Sequence, residues 1–150
     1  MPYSECVLAV FAVILALAGA PANTPVSCLP HLSGGNRGLA YIDDNPMRIE
    51  VTNGVCLAAQ YAGATRQERN QIAAANPKLV MFDVLGSGLL DLLHEAEHVA
   101  LRSRDECQVE KAAYAKVRVL LRRFAPRLYP LTTASAARRH FSLPPSYRGC

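Results

Sequence analysis

The feature that most restricts the fold of this chain is a run of apolar residues at helical spacing near its middle. The run comprises Leu79, Val80, Phe82, Leu85, Leu89, Leu92, Leu93, Ala96 and Val99. Because this spacing places side chains on one face of a helix, it predicts a long helix packed on a core. Asn76 and Pro77 suit the start of that helix. Gly86 and Gly88 weaken its middle, so two shorter helices are the alternative.

A second helix is predicted directly after the first. Ser103 and Glu106 have the spacing of a capping box, and apolar residues then recur at helical spacing over about 104–124, until Pro126. Because the connecting turn is short, the two helices should pack antiparallel.

The first of these helices contains the sequence His94-Glu95-Ala96-Glu97-His98. Histidines four positions apart leave the same helix face about one turn apart, so both ring nitrogens can bind one zinc ion. Glu95 lies on the flank of that face, where its carboxylate could act as a general base on a water molecule at the ion. Glu97 is expected to face solvent.

Zinc needs a third protein ligand, and the second helix offers Asp105, Glu106 and Glu110. Glu106 already suits the capping box, and Asp105 suits the positive end of the helix dipole. Glu110 has neither role and lies among apolar residues, where a carboxylate without a partner is costly. We therefore predict His94, His98 and Glu110 as the ligands, with Glu106 or Asp105 as the alternative third ligand.

The segment before these helices predicts a small β-structure. Residues 38–54 alternate polar and apolar and break at Asp44-Asn45-Pro46. This pattern predicts a β-hairpin with strands near 39–43 and 47–52. Residues 23–37 are rich in Pro, Ser, Gly and Asn and should form an extended lead-in.

Two short helices should follow the hairpin, over 55–63 and 65–75, the second opened by a capping box of Thr65 and Glu68. The last 25 or so residues are loop-like by their prolines and turn residues. Together these elements predict an α+β domain, mainly α, built on two long antiparallel helices with a β-hairpin and a disulfide-tied tail.

The first 22 residues have the pattern of a secretory signal peptide. Residues 7–20 are apolar and uncharged but too short for a typical membrane span. Ala20-Pro21-Ala22 gives a small-x-small cleavage site before Asn23. No Lys or Arg precedes the apolar stretch, so an uncleaved membrane anchor or a misplaced start codon is the alternative. We predict a mature domain of residues 23–150 that is secreted or held in the cell envelope.

The cysteines agree with export. Of the five, Cys6 lies in the signal segment, and Cys28, Cys56, Cys107 and Cys150 remain. An even number in a small exported chain indicates two disulfides, with three pairings available. We favour Cys28–Cys56 and Cys107–Cys150. The absence of a C-x-x-C spacing argues against zinc binding by these thiols.

The chain is basic. Without Glu5, the 16 basic and 11 remaining acidic residues give the mature chain a formal charge of +5. Many of the bases lie late in the sequence: Arg118, Arg122, Arg123, Arg127, Arg138, Arg139 and Arg148. This charge fits an ordinary solvated surface, and it would also favour association with an anionic cell envelope or an acidic substrate. No basic motif is interleaved with aromatic residues, so we predict no nucleic-acid partner. We expect a monomer.

The segment HEAEHVALRSRDECQVEKAAY resembles the zincin metallopeptidases of the gluzincin layout, which combine H-E-x-x-H with a downstream glutamate. The chain is more closely similar to small, uncharacterised secreted bacterial proteins that share H-E-A-x-H…D-E-x-x-x-E, an upstream R-I-x-V-x-x-x-V-C and a closing L-P-P-x-Y-R-x-C. Here these motifs span 48–56, 94–110 and 143–150, so the resemblance covers most of the mature chain.

The resemblance implies a metal-binding, peptidase-like fold with His94, His98 and Glu110 as ligands and Glu95 as the general base. The similar proteins often have cysteine directly after the downstream glutamate, where this chain has Lys111. The full peptidase families are much larger, so a substrate cleft in this chain must be minimal.

We therefore expect a secreted zinc-dependent hydrolase acting on protein or peptidoglycan peptide, with Glu95 as proton shuttle. Such an enzyme needs an oxyanion donor, for which Tyr114 is the candidate and His140 or Tyr147 the alternatives. A second hypothesis is a non-catalytic exported zinc-binding or envelope-associated protein, in keeping with the small size and basic tail. A third is a metal-free helical domain stabilised by disulfides.

Overall fold

Helices dominate the architecture, and a three-stranded sheet packs against two of them. The computed structural model describes the backbone of residues 4–80 and 82–128, and their side chains outside 79–84 and 128. The strands are β1 (Val26–Leu29), β2 (Gly38–Tyr41) and β3 (Arg48–Thr52). The helices are α1 (Glu5–Ala18), α2 (Asn53–Gly63), α3 (Arg66–Ala75), α4 (Phe82–Leu101), α5 (Glu106–Ala115) and α6 (Val117–Phe124). The predicted α+β class, mainly α, is confirmed.

The sheet contains the predicted hairpin and one further strand. Its order is β1-β3-β2, with β2 antiparallel and β1 parallel to β3. Ile49 and Val51 on β3 are fully buried, so the central strand anchors the sheet to the helices. Strand β1 was not predicted, since it lies in the segment expected to be an extended lead-in. Its four residues are too few to show a strand pattern in the sequence, and they form a strand by pairing with β3.

Helix α4 is continuous through Gly86 and Gly88, so the division into two helices does not occur. A Cβ on Gly88 would lie 2.8 Å from the Cβ of Ala58 on α2. This glycine therefore permits close packing between α2 and α4 rather than interrupting the helix. Pro77 begins a separate 3₁₀ turn, Pro77–Val80, instead of the first turn of α4.

The predicted helix over 104–124 is interrupted at Lys116, which separates α5 from α6. The predicted Ser103–Glu106 capping box is also wrong. Asp105 is the N-cap of α5 and accepts a hydrogen bond from the Gln108 backbone N–H at 3.1 Å. Glu106 therefore has no capping role, and its carboxylate is available to α4. The predicted Thr65–Glu68 capping box is confirmed at α3.

Helix α1, within the predicted signal segment, packs against α2 and α4. Six of its residues are buried in the core: Val7, Val10, Phe11, Ile14, Leu15 and Ala18. The Nζ of Lys116 donates to the Ala18 carbonyl at 3.2 Å. Removal of residues 1–22 stays a prediction. In the part of the chain that the structure describes, no helix combines the length and the apolar character needed to cross a bilayer.

The Cys28–Cys56 disulfide is confirmed and joins β1 to α2. Cys107, on α5, is also disulfide-bonded. Its predicted partner, Cys150, lies outside the described residues. The predicted tail loop from residue 129 onward, with His140 and Tyr147, also lies outside them.

Candidate metal centre

Three side chains from two helices meet at one point between α4 and α5. The Nε2 atoms of His94 and His98 lie 3.1 Å apart. Oε2 of Glu106 lies 3.0 Å from the first and 3.2 Å from the second. Glu106 contacts His98 and Glu110 contacts His94, so α5 runs back along α4, as predicted. His94, His98 and Glu106 together could hold a metal ion.

The other nitrogen of each ring is already engaged. Nδ1 of His98 donates to the Ser103 carbonyl oxygen at 2.7 Å. Nδ1 of His94 donates to Oε2 of Glu110 at 3.2 Å. Because a carbonyl or carboxylate oxygen can only accept, both Nδ1 atoms carry hydrogen, and each neutral ring keeps its lone pair on Nε2.

Two nitrogen lone pairs and one carboxylate oxygen therefore face one another at 3.0–3.2 Å. Such a group needs a cation at its centre, either an added proton or a metal ion. Zinc–nitrogen bonds of about 2.0–2.1 Å in a tetrahedral site place ligand atoms about 3.3 Å apart. The three observed separations are close to that value, so the residues fit a metal ion.

The centre is closed on one side and open on the other. His94 and His98 are 8% and 7% exposed, whereas the Glu106 side chain is 44% exposed. Solvent therefore reaches the cluster from the Glu106 side.

Glu110, the predicted third ligand, is buried behind His94 rather than gathered with the two Nε2 atoms. It is 3% exposed. Its Oε2 contacts the Nδ1 of His94, and its Oε1 has no hydrogen-bond partner among the described residues. This contact is the second layer of support that metal-bound histidines usually have. The third position is filled by Glu106, one of the two alternatives considered, while Asp105 caps α5.

The surrounding carboxylates also raise the pKa of His94. Burial opposes protonation of this ring, but the hydrogen bond to Glu110 and the charges of Glu95, Glu110 and Glu106 outweigh it, so its pKa is raised. A metal ion would therefore displace a proton from this site in part of the pH range.

Glu95, the predicted general base, is buried beside the ligands. It is 8% exposed and accepts a hydrogen bond from the backbone of Ala40 on β2. Burial, and then the nearby charges of Glu106 and Asp91, raise its pKa to about 7, while His94 and the Ala40 N–H oppose the rise. A carboxyl group with this pKa can accept and release a proton near neutral pH.

Ion pairs lie at both ends of β2, one with α4 and one with the turn between α4 and α5. Arg37 forms an ion pair with Asp91, with Nη2 to Oδ1 at 3.1 Å and Nε to Oδ2 at 2.9 Å. At the other end, Asp43 pairs with Arg104. Burial raises the pKa of Asp91 to about 6. Sequence reasoning missed Asp91, although it precedes His94 by three positions on the same helix.

Tyr114, the predicted oxyanion donor, and Glu97, which was expected to face solvent, are both buried. Tyr114 is 5% exposed and packs in the hydrophobic core, and its role as oxyanion donor stays a prediction. Glu97, expected to face solvent, is 1% exposed, and its Oε1 accepts from the Nζ of Lys116 at 2.5 Å. The expectation for Glu97 is therefore wrong: the packing of α4 against α1 and the α5–α6 junction covers it.

No family model, curated protein or solved structure matches this chain. The resemblance to zincin metallopeptidases therefore stays a prediction, and the cluster by itself is not evidence for that family. The function is therefore inferred from the chemistry of the residues around His94 and His98.

Proposed function

We propose that the protein is a zinc-dependent hydrolase in which His94, His98 and Glu106 hold the ion and Glu95 is the general base. One observation carries this proposal. Two imidazole lone pairs and a carboxylate oxygen lie within 3.2 Å of one another, while both Nδ1 atoms are bonded elsewhere. The buried carboxyl group of Glu95 lies next to this cluster.

Zinc is the metal that we propose, because the H-E-x-x-H spacing is typical of zinc sites, whereas the donor set alone would also suit iron(II). Two imidazole nitrogens and one carboxylate oxygen are the ligands of many catalytic zinc sites, which keep a fourth position open. Three protein donors with a solvent-exposed side at Glu106 agree with that arrangement.

A zinc ion held there would act as a Lewis acid, polarising an acyl carbonyl and making water acidic enough to attack at neutral pH. The chain's own residues supply the remaining steps. The Glu95 carboxylate would take the proton of the attacking water on one oxygen and deliver it to the leaving amine. Glu110 and the Ser103 carbonyl hold the two rings in the tautomer that presents Nε2.

The substrate class is proposed from the sequence resemblance. The 94–114 segment is similar to metallopeptidases, and the export pattern suits a substrate outside the cytoplasm. A peptide bond in protein or peptidoglycan is therefore the proposed target. The open side of the cluster at Glu106 is where such a bond would have to approach.

A non-catalytic zinc-binding protein is the second candidate, and one observation favours it. The Glu95 carboxyl group is buried and already accepts from the Ala40 backbone, so it also serves to hold β2 on α4. In this alternative the ion stabilises the α4–α5 pair without turnover.

The deciding experiment compares the full chain, purified with disulfides intact, with Glu95→Gln and His94→Ala. Zinc content is measured by mass spectrometry, and a peptide library is incubated with each protein. We expect one zinc per chain in the unmutated protein and Glu95→Gln, none in His94→Ala, and cleavage only by the unmutated protein. Glu68→Gln, at an exposed glutamate on α3 where glutamine can keep the capping box, is the matched control and should behave as the unmutated chain.

Zinc binding without cleavage in any of these proteins would favour the non-catalytic alternative. Equal cleavage by Glu95→Gln would refute its role as base. Absence of zinc from the unmutated chain would overturn both candidates.

A further inference from the structure

Charge is divided unequally along the sequence. All 12 acidic residues lie in residues 1–110, together with 7 of the bases. Residues 111–150 contain 9 bases and no acid. The C-terminal part of the chain therefore cannot neutralise its own positive charge, whatever conformation it takes. An asymmetry of this kind indicates an anionic partner.

Helix α6 contains three of these nine basic residues, and its packing gives them a defined orientation. Its apolar residues Val117, Leu120 and Leu121 are at most 1% exposed. Because that side is locked into the core, the opposite side has a defined orientation. The residues on this outer face are Arg118, Val119, Arg122 and Arg123, and all four are exposed.

Val119 distinguishes this face from an ordinary solvated surface. It is 56% exposed, more than the other exposed large apolar residues that the structure describes, Leu8 and Leu101. It directly follows Arg118, and Arg122 and Arg123 lie one turn further along. An apolar side chain among arginines suits a lipid headgroup region, where guanidinium groups bind phosphates and the apolar group enters the boundary with the acyl chains.

We infer that the outer face of α6, formed by Arg118, Val119, Arg122 and Arg123, binds the surface of an anionic phospholipid bilayer. Nucleic acid fits less well, because single strands are bound by stacking on exposed aromatic rings. The ring of Phe124, the aromatic residue of α6, is partly buried in the core and lies beneath the Arg123 guanidinium at 5.6 Å. This inference is independent of the proposed hydrolase activity.

The test is sedimentation of the full chain with lipid vesicles. One set contains phosphatidylcholine with about 30% phosphatidylglycerol, and the other contains phosphatidylcholine alone. We expect binding to the anionic vesicles at about 0.1 M salt and its loss at about 1 M salt, where charges are screened within about 3 Å. Each arginine near an anionic bilayer strengthens binding roughly fivefold. The triple variant Arg118→Gln/Arg122→Gln/Arg123→Gln should therefore bind roughly a hundredfold more weakly.

The matched control removes three exposed bases from other elements, as Arg66→Gln/Lys78→Gln/Arg102→Gln. It carries the same net charge as the α6 variant and should keep most of the vesicle binding. Val119→Ser should weaken binding to anionic vesicles several-fold but leave binding to heparin unchanged, because heparin has no apolar layer.

Three results would overturn the inference. Equal loss of binding in both triple variants would show that only net charge matters. Equal binding to neutral vesicles would show that the apolar α1 or another segment inserts. Tighter binding to a single-stranded oligonucleotide than to the anionic vesicles would identify the face as a nucleic-acid site.

Discussion

Glu110 accepts a hydrogen bond from Nδ1 of His94, with 3.2 Å between its Oε2 and the ring nitrogen. This contact places the hydrogen of the neutral ring on Nδ1 and leaves the lone pair of Nε2 facing Glu106. The two glutamates therefore have different parts in the same centre. Glu106 is placed to bind an ion, and Glu110 is placed to orient the histidine.

The first prediction separates these two parts by metal affinity. Glu106→Ala should weaken zinc binding by more than about 100-fold, because it removes a ligand atom. Glu110→Gln should weaken it by about 10-fold, because the amide can still accept from His94 without its charge. Competition with a chromogenic chelator measures both. The reverse order of effects would show that Glu110 is the ligand that the sequence indicated.

The sequence predicted a centre between these two helices with Glu110 as third ligand, whereas the structure gathers Glu106 with His94 and His98, and the reason for the difference can be stated. Glu106 was set aside because Ser103 and Glu106 have capping-box spacing. In the structure Asp105 takes the cap, and the start of α5 shifts so that Glu106 faces His94 and His98. Local spacing alone could not decide between two caps of similar strength, since each is worth only about 1 kcal/mol.

Other features depend on contacts between distant parts of the chain. The helical period predicted α4, but only the approach of Ala58 explains Gly88 inside it. The hairpin followed from alternation and a turn, whereas β1 forms through pairing with β3. The burial of Glu97 depends on Lys116, 19 positions away.

The second prediction concerns pH and the stability of the metal-free protein. The pKa of Glu95 is about 7 in the folded protein against an ordinary value of 4.5. Between these values the folded state holds a proton that the unfolded state has lost, so the free energy of unfolding falls as pH rises from about 4.5 to 7. The full decrease is at most about 3–4 kcal/mol.

Glu95→Gln tests this because the amide has the same shape and does not titrate. Urea unfolding in the presence of a chelator should show that the variant is more stable than the unmutated chain at about pH 8 and no more stable at about pH 4. Asp91, whose pKa is raised to about 6, contributes a decrease of the same sign to both proteins. A constant difference between the two proteins across this range would contradict the prediction.

The third prediction concerns the contact of Glu95 with Gly38 on β2. A Cβ on Gly38 would lie 2.5 Å from the Cγ of Glu95, so Gly38→Ala must displace this side chain. If the proposed mechanism holds, turnover should fall by about 100-fold, since general-base catalysis contributes roughly that much or more. Zinc content should remain near one per chain, because none of the three ligands is changed.

Gly54→Ala is the control, since the nearest atom to its added Cβ is 3.9 Å away. Turnover in that variant should change little. Unchanged turnover in Gly38→Ala would show that the position of Glu95 against β2 is not needed for catalysis.

The fourth prediction concerns the ion pair between Glu97 and Lys116, which links α4 to the α5–α6 junction. The Glu97 side chain is 1% exposed and the Lys116 side chain is 32% exposed. Lys116→Met should lower the free energy of unfolding by about 3 kcal/mol, because it leaves a carboxylate buried without its cation. Glu97→Gln should cost only about 1–2 kcal/mol, since Lys116 can still reach solvent and the Ala18 carbonyl.

The double variant Glu97→Leu/Lys116→Met decides whether the pair stabilises the fold or only avoids an unpaired charge. Replacing both partners by apolar side chains of similar size should restore most of the stability lost in Lys116→Met. Lys111→Met, an exposed lysine on α5, should change stability by less than about 0.5 kcal/mol. A double variant as unstable as Lys116→Met alone would mean that the ion pair itself holds α4 against the α5–α6 junction.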